Sequence, residues 1–395
     1  MTADQGAEGP TPVRIAAALA VLLCAAVAGC SGAPAPPAPA APRLPAATGD
    51  ERLSDVCPAT VVVQQAWEPE AEHAATYQLV GPGYTIDAAR KRISGPLVAG
   101  GKDTGVRIEI RPGGAAVGFA TVTAQMYLDR SITLGAVATD LATGTSTSQP
   151  VTAVVAPLAK SPMALMWDPA SHPDWNTAAD IGRAGAKVLM AQSNTATALL
   201  TGKGLVRPEQ VDTGYTGSPV RFVTDPTIAQ QAFATNEPFV YQHELTTWRK
   251  PVRYQLLADV GFSVYPEALS VRTADLEPLS ACLTRLVPLI QRAQLDYLAN
   301  PAPTNKLIVD AVAAFHTGWT YSPEAADYAA ATMTRLGVIA NDTSGPLGGM
   351  DPARVQATID TFAPILARDG ARVRPNLKAE DIATNRFLNP TIRTR

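Results

Sequence analysis

The sequence predicts an α/β protein with a largely parallel sheet, closed by a cluster of C-terminal helices. Two patterns carry this. Short β-branched runs alternate with helix-forming stretches from Val61 to Ala156, the signature of β-α-β units. From Thr273 onward the apolar residues recur at helical spacing instead. At 395 residues the chain is long enough for two lobes with cores of their own.

The elements follow in order. Val61–Val63 is a first buried strand. Pro69 fits the first position of a following helix, because its missing N–H is unpaired there anyway. Glu70 and Glu72 then fall in the first turn, where the helix dipole favours acids. Residues 105–110 and 132–138 read as the next strands, with a helix over 115–129 between them. Residues 151–156 and 163–166 are further apolar strands. A helix over 176–184 leads into a strand at 187–192 and a helix at 196–201. Beyond it the pattern predicts a strand at 220–223, a helix at 227–234, an extended stretch at 237–241 and a last strand region at 256–264. Helices are expected over 276–298, 305–315, 323–336 and 352–366.

The start of the chain is an export signal. Ile15–Val27 is an unbroken apolar run of 13 residues, the length of a signal h-region and too short to span a bilayer. It ends in Val27-Ala28-Gly29-Cys30, a lipoprotein processing box in which Cys30 takes the lipid. Arg14 is the only base of the n-region, so the true start can lie downstream of Met1. The Ala/Pro-rich stretch that follows reads as an extended tether. Of the remaining cysteines, Cys57 and Cys282 are expected to pair in an exported protein.

Net charge is −3, with no basic footprint for nucleic acid. There is no nucleophile elbow, no phosphate-cradling loop and no dinucleotide fingerprint. His243-Glu244 starts like a zinc-protease helix, but Thr247 stands where a second His is needed. The four histidines are far apart in sequence, so no metal site and no cofactor is expected. What remains is a binding pattern. Glu70, His73 and Tyr77 are spaced i, i+3, i+7 and would share a helix face beside Trp67. Tyr84, Tyr215 and Tyr241 are further candidates for stacking contacts. Gln192, Ser193, Asn194 and Thr195 lie at a strand-to-helix junction whose free N–H groups can receive a ligand, or serve only as caps.

Lipobox, tether and the segment Trp67-Glu-Pro…His73-Ala…Tyr77 together resemble the solute-binding proteins of ABC importers. The closest likeness is to the type 2 branch that handles nitrate, sulfonates, taurine and thiamine pyrimidine precursors. Val151–Met166 is similar to the stretch where such chains cross between lobes, and Gln230–Pro238 to the motif that ends lobe two. The resemblance implies a two-lobed periplasmic-binding-protein fold with two hinge crossings. Its parts would be a signal at 1–29, a tether at 30–50, lobe one at 51–158 and 244–395, and lobe two at 159–243. Trp67, Glu70, His73 and Tyr77 would line one side of the cleft, Ser193, Asn194 and Thr195 the other, with Glu237 near the hinge. Some yeast relatives are suicide enzymes with a cysteine-rich motif, which this chain lacks; transport rather than catalysis is implied.

The expected function is therefore capture of a small heteroaromatic, thiamine-precursor-like solute. The expected partners are a permease and its ATPase, with a monomer anchored by lipid on Cys30 to the outer face of the cytoplasmic membrane. A sulfonate, taurine or nitrate anion is the alternative ligand. An exported hydrolase and a ligand-sensing lipoprotein are the alternatives from other classes.

Overall fold

The computed structural model describes residues 44–192, 195–342 and 345–394. The signal, Cys30, most of the tether, Ser193 and Asn194 lie outside the described residues. Among those described, no helix is long and apolar enough to cross a membrane.

Among the described residues twelve strands form two sheets. The first holds β1 (Thr60–Gln64), β2 (Thr85–Asp87), β3 (Arg92–Ala99), β4 (Lys102–Arg111), β5 (Ile132–Val137), β6 (Val151–Val155) and β12 (Ala268–Arg272), in the order β2-β3-β4-β1-β5-β12-β6. The second holds β7 (Met163–Trp167), β8 (Val188–Ala191), β9 (Val211–Tyr215), β10 (Ala229–Phe233) and β11 (Arg253–Leu256), in the order β11-β7-β10-β8-β9. One plan serves both. In each, three parallel strands (β4-β1-β5 and β9-β8-β10) are followed by one antiparallel strand, β12 or β7. That strand is the first one the chain makes after crossing between sheets. The sheets are thus mixed rather than largely parallel.

β1 is central because Val61, Val62 and Val63 are all buried, so both faces of the strand must be covered. β2 and β3 extend the sheet beyond β4. The β3–β4 hairpin turns on Gly100 and Gly101, both at positive φ, as a two-residue loop between twisted strands requires. One face of the first sheet packs on helices Ser280–Ala299, Ala302–Phe315 and Pro323–Arg335, where the largest core lies. Cys57 is bonded to Cys282, with Cα atoms 4.7 Å apart, tying the entry of the fold to the first of these helices.

Helix Pro352–Arg368 spans both units. Its Val355 and Ile359 join the core on the other face of the first sheet, while Phe362 joins the core of the second. From the same helix, Arg354 donates to the carbonyls of Ala159 (2.7 Å), Ser263 (2.7 Å) and Val264 (2.8 Å). Ala159 is in the outward crossing, and Ser263 and Val264 are in the return crossing. The guanidinium also stacks on Tyr265, 3.8 Å from the ring centre. One cation therefore holds both hinge segments together.

The structure corrects several expectations. The return crossing was expected at about 244, but β11 pairs with β7 along 253–256, so lobe two continues to Leu256. The stretch 256–264 is no strand; it starts with a single turn, Leu257–Val260, inside the crossing. Residues 220–224 form a helix of which only Phe222 is buried, so the β-branched composition misled. Residues 229–233 form a strand despite their helix-favouring composition. It is a central strand whose polar members find partners: Gln230 donates to the Tyr241 hydroxyl (3.0 Å) and Gln231 accepts from the Ala191 N–H (3.0 Å). Glu237–Phe239 is helical rather than extended.

Denatured, unreduced protein is expected to show no reactive thiol at Cys57 or Cys282. Replacing both by serine should lower stability by about 2–4 kcal/mol in urea unfolding, since the bond closes a long loop.

Candidate functional site

The carboxyl ends of β1 and β5 in one sheet, and of β8 and β10 in the other, deliver the residues that face each other. Such strand ends are where open α/β sheets place ligands. After β1 the chain does not enter a helix at Pro69. Glu70 is extended (φ −156°, ψ 168°), a short 3-10 turn covers Ala71–His73, and the α-helix covers only Ala74–Tyr77. Tertiary partners explain the delay. The Trp67 carbonyl accepts from Gly113 N–H (2.8 Å), and Ala71 N–H donates to the Tyr321 hydroxyl (3.3 Å). A Cβ on Gly113 would sit 2.4 Å from the Ala66 oxygen, so only glycine lets the two turns meet. Glu70, His73 and Tyr77 consequently share no helix face. Tyr77 is core, with its hydroxyl buried and unpartnered.

Trp67 is half-buried at the rim. Its ring lies 6.0 Å from Phe119 and meets Trp319 edge-on at 6.3 Å. Trp319 stacks in turn on Tyr321. Phe119 is 68% exposed, an unusual setting for a large apolar ring.

Below this aromatic rim lies a group of acids. Glu68 and Glu72 are buried, and Glu70 and Glu237 are half-buried. Burial raises the pKa of Glu70 well above the carboxylate range, and Glu72, Glu267, Glu237 and Glu68 all add to the rise. Burial likewise raises Glu68, where Ala116 N–H donates to one oxygen (3.3 Å) and the other is unpartnered. Glu72 is raised by burial and by Glu267; Thr235 at the end of β10 lies against it, off the line of a good hydrogen bond. Glu237 is raised to about 7, chiefly by burial, with Glu72 contributing. Its oxygens accept from Phe233 N–H (2.7 Å) and the Tyr215 hydroxyl (3.2 Å). Among the described residues no arginine or lysine forms an ion pair with any of these four.

His73 is buried, with Nε2 3.0 Å from Glu267 Oε2 on the return crossing. Burial opposes charge on the ring, but Glu267 and Glu72 outweigh it and raise its pKa. From lobe two, Thr195 donates to buried Asp140 just beyond β5, a direct contact between strand ends of opposite sheets. Tyr241 is bound to Gln230 inside lobe two, and Tyr84 sits at the surface.

No protein-family model and no curated protein matches the chain. Solved structures do. The periplasmic aliphatic sulphonate binding protein SsuA from Escherichia coli is 13% identical, with a TM-score of 0.53 over 86% of this chain and 95% of its own. The ligand-binding component of an ABC-type import system from Staphylococcus aureus, with zinc bound, is 11% identical, with a TM-score of 0.51 over 83% and 97%. The periplasmic nitrate-binding protein NrtA from Synechocystis is 11% identical, with a TM-score of 0.50 over 83% and 87%. The chain has the two-lobed, type 2 periplasmic-binding-protein fold.

In a periplasmic-binding-protein fold the facing strand ends form the cleft, and this explains which residues sequence reasoning missed. Glu267, Thr235, Trp319, Tyr321 and Asp140 each reach the cleft from a crossing, a strand end or a distant loop. No local pattern marks them. Glu72 was visible as one of three acids at 68, 70 and 72, but its inward direction was not.

Glu237 titrates near 7 in the folded protein, above the usual carboxylate value of 4.5. The folded state therefore holds this proton more tightly than the unfolded chain. Its contribution is full below about 4.5 and is lost as pH rises towards 7. Tyr215, Glu72 and Glu70 are the titratable groups facing it. Urea midpoints of the solute-free protein should fall across this range, and Glu237→Gln should flatten the fall.

Proposed function

We propose that the chain is the extracytoplasmic solute-binding component of an ABC importer. It captures a small solute between two lobes and presents it to a permease and its ATPase, as a monomer tethered through lipid on Cys30. Three things support this: the fold of the neighbours, the facing strand ends, and the lack of a nucleophile–base constellation in the cleft residues described above. Closure is a hinge motion, and only a solute that binds the closed form better can drive it.

The solute is read from the acids, because the neighbours differ in what they are named for. Glu68, Glu70, Glu72, Glu237 and Glu267 come together with no arginine or lysine paired to them among the described residues. A solute carrying positive charge or several N–H donors would satisfy them. Trp67, Phe119 and Trp319 offer an apolar aromatic rim of tilted and edge-on rings. A nitrogen-bearing heteroaromatic ring of thiamine-precursor type fits both features, and Trp67 is its stacking partner.

The sulphonate and nitrate proteins favour a second reading, a small anion. Here it requires protonated Glu70 and Glu237 to act as hydrogen-bond donors, as buried carboxylic acids can. pH separates the two. Affinity for a cationic ring should rise as pH increases through neutrality, whereas anion affinity should fall.

In calorimetric titration with a solute found by thermal-shift screening, Trp67→Ala should weaken binding about tenfold or more, the loss of roughly 1.5 kcal/mol of aromatic contact. Unchanged affinity in a folded variant would refute the assignment of Trp67.

A further inference from the structure

Three groups of the cleft converge on one point. An oxygen of Glu70, a ring nitrogen of His73 and an oxygen of Glu267 all lie within 4.8 Å of one another. The His73 side chain is only 1% exposed, yet neither ring nitrogen makes a well-aligned hydrogen bond. Glu267 Oε2, 3.0 Å from His73 Nε2, is also without one. The two atoms pair with each other at 3.0 Å, so a buried imidazole and a carboxylate are already aimed at one point. Glu267 is further marked by its backbone, at φ +52°. That left-handed conformation costs a non-glycine residue about 1–2 kcal/mol, and such strain concentrates at functional sites. Beside His73 and Glu267 opens a cavity of about 10 Å³, also lined by Gln65, Glu72 and Thr76. Glu70 does not line it, so it gives room for one water beside the His73–Glu267 pair rather than for the ion between all three groups.

We propose that Glu70, His73 and Glu267 bind a divalent transition-metal ion of the zinc class. One imidazole nitrogen and two carboxylate oxygens form the three-ligand set that leaves a fourth position open. Bond lengths of about 2.0–2.2 Å place tetrahedral ligand atoms roughly 3.4 Å apart. The ligand atoms now lie 3.0 Å apart in the His73–Glu267 pair and within 4.8 Å overall, so binding would part that pair slightly and draw the set together. The backbone carbonyl of Glu68 lies against the His73 ring and would fix its tautomer, the role outer-shell acceptors play at metal histidines. The ion would neutralise acids of the cleft, and its open position would receive the solute. What the ion is for thus rests on the reading of the cleft as a capture site; that it binds does not. The proposal reverses the expectation of no metal, which considered only short spacings between histidines.

The test is titration of zinc chloride into the purified, chelator-treated full chain by calorimetry, with cobalt(II) absorption reporting coordination number. One equivalent should bind, and cobalt should give the intense visible band of a four-coordinate site. His73→Asn and Glu267→Gln should each weaken binding about a hundredfold, while exposed Glu324→Gln should leave it unchanged. Circular dichroism confirms that each variant is folded. Absence of saturable binding at one equivalent overturns the proposal. So does binding in both ligand variants that is as strong as in the wild type, which would mark adventitious carboxylate contacts. If no metal binds but the protein still binds a solute and Trp67→Ala abolishes that, the metal proposal falls and the capture reading stands. If neither metal nor any solute binds, both fall.

Discussion

Carboxylates from two lobes share one poorly solvated space, and most of the site follows from that. Glu68, Glu70 and Glu72 arrive from the turn after β1, Glu237 from the turn after β10, and Glu267 from the return crossing. Ionised, they repel one another across the cleft; buried, they are driven towards protonation. The closed arrangement is therefore favoured by protons or by an occupant that brings positive charge or donors. An electrostatic conflict of this kind, spread over both lobes, would make closure conditional on what is bound.

The fold sets up the conflict through its connections. Each sheet receives the chain by an antiparallel strand next to its parallel core, so the parallel strand ends of the two sheets come to face each other. Arg354 then holds the outward and return crossings side by side, with Tyr265 under its guanidinium and Asp351 N–H donating to the Tyr265 hydroxyl (2.8 Å). Glu267 lies two residues beyond Tyr265. The return crossing is thus the segment that brings an acid to His73. The Thr195–Asp140 contact adds a polar latch between the facing strand ends.

The sequence was legible where a pattern is local. Val61–Val63 announced the central strand, and the helical spacing after Thr273 announced the closing helices. Glu70 lies near both His73 and Glu237, while Trp67 sits among Phe119 and Trp319. What was illegible is whatever another part of the chain decides. Glu70 is turned by a glycine at 113 and by a tyrosine hydroxyl 250 residues away, not by helix spacing. Gln230 and Gln231 sit in a central strand because side chains elsewhere satisfy them, against their own propensity. Tyr77 belongs to the core because its helix starts late. Glu267 follows Tyr265-Pro266 in a stretch with no periodicity, and only the crossing's path gives it a role.

When ionised, these acids should oppose closure of the solute-free lobes. Spin labels placed on exposed positions of the two lobes would report their separation directly. Above neutral pH, the solute-free protein should show the longer distance, and Glu70→Gln/Glu72→Gln/Glu237→Gln should shift it to the shorter, closed one. A wild-type protein that is already closed under those conditions, with a distance the triple variant does not change, would contradict the account.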